Sequence, residues 1–66
     1  MLRTKLNHQI TAAEVRVVNE EGQQIGIMKT GQALALAIEH GLDLVEISPQ
    51  AQPPVCKLID FAKFKY

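Results

Sequence analysis

The sequence predicts one small α+β domain, a four-stranded mixed sheet packed against one helix in the order β-β-α-β-β. Three observations predict it. Apolar and polar residues alternate with period two after Glu14 and again after Gln24, as half-buried strands require. The pattern changes near Thr30 to a run of helix formers that ends at Gly41. Two further apolar runs then flank a proline-containing loop. A chain of 66 residues with 47% apolar residues makes one globular domain rather than a disordered segment. A domain of this size buries only about 60% of its unfolded surface, which leaves little room for a deep active-site cleft.

Residues 1–12 are polar and aperiodic and are expected to form a flexible basic arm, ending as Ile10 meets the core. The globular domain is expected to span residues 13–60. Its first strand turns Val15 and Val17 one way and Glu14 and Arg16 the other. The turn at Asn19, Glu20, Glu21 and Gly22 uses a glycine where a positive φ is needed, and Ile25 and Ile27 carry the alternation into a second strand, completing a hairpin. Thr30 offers a hydroxyl to cap the helix; with Lys29 as the cap, Gln32 supplies half of a capping box. Two faces compete for burial, one of Leu34, Ala37 and Ile38, the other of Ala33, Leu36, Ala37 and His40. Ala37 belongs to both.

Residues 43–48 read as a third strand with Val45 and Ile47 on one face and Leu44 on the other, closed by Pro49. A loop over 50–54, stiffened by Pro53 and Pro54, leads to a fourth strand at 55–59. Asp60 can cap a further helix beginning at Phe61, and residues 61–66 are expected to start a helix that continues into a longer linker of a larger protein. One helix across four strands is a two-layer solution suited to so short a chain. The architecture predicted is β-grasp-like.

Net charge is zero, but it is segregated: +2 over residues 1–13, −4 over 14–46 and +2 over 47–66. If the basic ends meet in space, they form a positive face on a neutral protein. The tail, with Lys57, Phe61, Lys63, Phe64, Lys65 and Tyr66, sets cations beside rings, a combination that holds phosphates and bases. The two phenylalanines can equally anchor the terminal helix to the sheet. The lysine charges have no such second use, because they must face water or an anion.

Chemistry of other kinds finds little support. The hydroxyls of Thr4, Thr11, Thr30, Ser48 and Tyr66 stand in no nucleophile motif, and no glycine-rich phosphate loop is present. Cys56 occupies a strand position suited to a small apolar residue and reads as structural; a single cysteine forms no internal disulfide and fits a reducing cytoplasm. His8, His40 and Cys56 could ligate a metal only if three distant segments converged. Glu20 and Glu21 form a solvated turn rather than an acid–base pair. No catalytic residue, metal or cofactor is therefore expected. No window approaches the roughly 20 apolar residues of a membrane span, and the N-terminus has no secretory signal pattern.

Several ordered words carry a resemblance across most of the chain. Lys5, Asn7 and Ile10 fit an Arg/Lys-x-Asn-x-x-Ile arm, followed by Glu14-Val15-Arg16 and a hairpin ending in Ile-Gly. GLDLVEISP, PPVCK and an Asp-Phe-x-Lys-Phe-x-Tyr element complete the set between Gly41 and Tyr66. This closely resembles the N-terminal domain of bacterial translation initiation factor three. Phe61, Ala62 and Lys57 depart from the tyrosine, glycine and arginine common at those positions, and Gly31-Gln32 replaces a charged pair.

The resemblance implies a non-enzymatic, monomeric, cytoplasmic module of a two-domain factor. Such a factor binds the small (30S) ribosomal subunit, helps select start codon and initiator tRNA, and prevents premature subunit joining. The domain would dock on 16S rRNA and platform proteins near the initiator tRNA. Candidate contacts are Arg3, Lys5 and Arg16 from the arm side, with Lys57, Lys63, Lys65 and Tyr66 from the tail. The alternative is a ubiquitin-like protein-interaction domain without RNA binding, using a sheet face or edge and a spare helical Leu36.

Overall fold

The computed structural model describes residues 5–60. A single 3-10 turn, Asn7–Gln9, precedes β1 (Glu14–Val18), β2 (Gln24–Lys29), α1 (Thr30–Glu39), β3 (Asp43–Ser48) and β4 (Val55–Ile59). The strands lie in the order β2-β1-β4-β3. The outer pairs, β1 with β2 and β3 with β4, are antiparallel, and the central pair, β1 with β4, is parallel. The expected α+β class, mixed sheet and element order are therefore present. The expected helix over residues 61–66 lies outside the described residues.

Alternation along the strands sends one set of side chains towards α1. Val15 and Val17 from β1, Leu44 from β3, and Cys56 and Leu58 from β4 cluster with Ile10, Ala33 and Ala37. A ten-residue helix is marginal alone, so this packing holds it. Ala33 and Ala37, being small, let its backbone come close to the sheet. Burying each valine or leucine of the cluster contributes about 1.5–3 kcal/mol.

The helix resolves the two-face ambiguity in favour of Ala33 and Ala37, with Leu36 half-buried against the core. Ile38 is 76% exposed. The surplus aliphatic of the helix is thus Ile38, and Leu36, expected to be spare, is not. The anchoring of Thr30 explains the choice. Thr30 is the first helical residue rather than the cap; its hydroxyl donates to the Ala12 carbonyl and its N–H to the Ala13 carbonyl. Residues 30, 33 and 37 share one helical face, so tying down Thr30 sets the roll. Lys29 is the cap, and its N–H donates to Gln32 Oε1 at 3.1 Å, the half of a capping box that lysine permits.

The helix ends in a Schellman motif. Leu42 N–H donates to the Ala37 carbonyl and Gly41 N–H to the Ile38 carbonyl, with Gly41 at φ 67°. Leu42 then packs against the core cluster.

Two register shifts break the simple alternation. One lies opposite Val17 and Val18, where β2 carries an extra residue and Gly26 takes φ 147°. Ile25 and Ile27 consequently remain about half exposed, and Met28, opposite Val15, is the β2 side chain that packs against the core. The second shift lies between Glu46 and Ser48. It parts Val45, which is 2% exposed, from Ile47, which is 49% exposed, so these two do not share one environment as strict alternation predicts. The 50–54 loop contains a cis Gln52–Pro53 bond.

Residues 5–10 run beside β3. Leu6 bridges Val45, and Glu46 N–H donates to the Lys5 carbonyl at 3.0 Å. Asn7, in a left-handed conformation that asparagine tolerates, accepts from Leu44 N–H at 2.9 Å and donates to Asp43 Oδ1 at 3.1 Å.

Candidate nucleic-acid interface

The sheet face turned away from α1 holds two of the seven candidate contact residues. Arg16 on β1 alternates with the core residues Val15 and Val17, and Lys57 on β4 alternates with Cys56 and Leu58. The parallel register pairs Arg16 with Val55 and Val18 with Lys57, which makes Arg16 and Lys57 diagonal neighbours on strands about 4.8 Å apart. Segments separated by 40 residues thereby deliver two cations to one patch.

Aliphatic side chains frame both cations. Lys57 lies in a row between Val18 and Val45, and Arg16 between Ile27 and Val55. Both are half-buried, as expected when long stems pack on apolar neighbours and charged heads reach water. The Arg16 guanidinium donates through Nη1 to Gln24 Oε1 at 3.0 Å, so Gln24 orients it. Sequence reading passed over Gln24. The hairpin turn at 19–22 was the available signal, since it folds position 24 back beside β1.

The patch is positive but not uniformly so. Glu14 faces Lys29 across the β1–β2 pair, and Asp43 lies opposite Ile59 at the β3 edge. Lys5 is exposed on the far side of β3, with that strand and β4 between it and Arg16. Among the described residues, Arg16 is thus joined to Lys57 rather than to Lys5. Arg3, Lys63, Lys65 and Tyr66 lie outside the described residues, as do all three aromatic residues of the chain. What the described patch offers is cation contact with an anionic backbone, with valine and isoleucine between the charges.

Covalent chemistry is not suggested by the remaining nucleophile. Cys56 is fully buried, and burial first, then the nearby Glu46 charge, pushes its thiol up to about 11. It therefore stays protonated and sealed at neutral pH. His8 and His40 are both exposed, and no group of three ligating side chains occurs among the described residues.

Residues 6–66 match the family described as translation initiation factor IF-3, N-terminal domain. The chain belongs to this family. It is 60% identical over 62 residues to translation initiation factor IF-3 of Chromobacterium violaceum and, over the same length, 60% identical to that of Aquifex aeolicus. Each match covers 94% of this chain and 35% of the relative. It is 52% identical over 64 residues to the factor of Coxiella burnetii, covering 97% of this chain and 35% of that protein. The chain thus spans about a third of the length of these relatives. The family is one of translation initiation factors, which belong to protein biosynthesis. Among the described residues no helix is long and apolar enough to cross a membrane.

Proposed function

We propose that this domain is a ribosome-binding module of a cytoplasmic initiation factor, docking on the small subunit through 16S rRNA and platform proteins. In this role it contributes to selection of start codon and initiator tRNA and to prevention of premature subunit joining. It acts as a monomer. Arg16 and Lys57 hold backbone phosphates, and Arg3, Lys5, Lys63, Lys65 and Tyr66 extend the contact from the termini. The observation that carries the reading is the convergence of Arg16 and Lys57 on one sheet face, in a chain of the IF-3 family.

Binding of the chain to purified small subunits, followed over a range of salt, tests the proposal. Neutralising about four phosphates at about 0.7–0.9 counterions each gives a slope of log K against log salt near −3. A salt-independent affinity, or no weakening on Lys63→Ala/Lys65→Ala, would overturn it.

A further inference from the structure

We propose that the hollow at the C-terminal end of α1 is a docking site for a basic protein segment, taking a lysine or arginine side chain. This site has the opposite charge preference to the Arg16–Lys57 patch and does not depend on the RNA reading. Ile25, Leu42 and Leu58 give the hollow an apolar floor, and Glu20, Glu21 and His40 stand at its rim. Its volume of about 200 Å³ falls below the roughly 300 Å³ at which small-molecule pockets begin, so it suits one side chain of a larger partner.

The occupant follows from charge and shape. Glu20 and Glu21 are exposed at the hairpin tip, and no cation among the described residues pairs with either. Two adjacent carboxylates repel an RNA backbone and attract a cation. Lysine and arginine carry an aliphatic stem beneath a charged head. The stem lies over Ile25, 46% exposed, while the head meets the two carboxylates.

The rim is also built before any partner arrives. Asn19 Oδ1 accepts from Glu21 N–H and Gln23 N–H, both at 2.9 Å, and Gly22 N–H donates to the Asn19 carbonyl at 2.9 Å. These bonds fix the turn backbone that carries the two glutamates, which reduces the ordering cost of binding.

The test is an amide chemical-shift titration of the isotope-labelled chain with a short synthetic peptide of alternating arginine and leucine. Parallel titrations use the same peptide with glutamate for arginine, and a short single-stranded RNA. The arginine peptide is expected to shift the amides of Glu20, Glu21, Ile25 and Leu42, and neither control to do so. Glu20→Lys/Glu21→Lys converts two exposed attractions into repulsions and is expected to weaken the peptide about tenfold. Ile25→Gln keeps the charges, removes part of the floor, and is expected to weaken it several-fold. Core amides report whether either variant stays folded; if the charge reversal disturbs them, Ile25→Gln decides. The proposal fails if the arginine peptide shifts other surfaces, if a control peptide or RNA occupies the hollow equally, or if Ile25→Gln leaves affinity unchanged.

Discussion

Leu44 and Val45 are adjacent on β3, yet they serve opposite faces of the sheet. Leu44 joins the cluster beneath α1, opposite Leu58. Val45 is buried outside that cluster, opposite Lys57. The same one-residue step separates Val17 from Arg16 and Cys56 from Lys57. A strand built on period two can thus send one set of side chains to the core beneath the helix and the other, cations included, to the opposite face. The difference teaches that a small domain can keep one sheet face for its core and still leave cations displayed on the other.

The largest expected effect breaks the stability side. Leu44→Ala empties a fully buried site and is expected to cost about 2–5 kcal/mol. That is enough to unfold much of so small a domain, and denaturant melts followed by circular dichroism would read it. Val45→Ala removes two methyl-sized groups from the other face, about 1.6 kcal/mol by transfer alone. The same melts should rank it below Leu44→Ala; an equal or greater loss would erase the division between faces.

Cys56 sharpens the comparison through pH. Its folded thiol is raised from 9.0 to about 11, so the folded state holds its proton longer than the unfolded state. The resulting stability is fully present below pH 9 and is lost as pH climbs through 11. Stability measured across that window should fall for the native chain and fall less for Cys56→Ala. On the face proposed to meet RNA, Arg16→Ala/Lys57→Ala should remove about two phosphate contacts. The salt slope for subunit binding would become less negative by about 1.4–1.8, with an amide spectrum that stays native. Ile38→Ser should do least, within about 0.5 kcal/mol in either direction, because the side chain is already exposed.

Much of this was legible in the sequence, for local reasons. Period-two runs, the turn at Gly22 and the helix stop at Gly41 are encoded within a few residues of where they act. The roll of α1 was not, because Ala33 and Ile38 compete on hydrophobicity alone and the deciding bonds reach back to Ala12 and Ala13. Neither bulge could be read, since an extra residue leaves the composition of a strand unchanged. The pairing of Arg16 with Lys57 needed the parallel register of β1 and β4. Charge segregation pointed to basic ends meeting; among the described residues, Lys57 of the basic C-terminal stretch meets Arg16 of the acidic middle, and the other cations of that stretch lie outside them.

The leading segment has a consequence for solubility. β3 is an outermost strand, and such strands offer unpaired amides to any passing chain. Here the outward N–H groups of Leu44 and Glu46 are taken by Asn7 Oδ1 and the Lys5 carbonyl. Those few residues act as a guard rail, denying this margin of the sheet to strand-by-strand growth into aggregates.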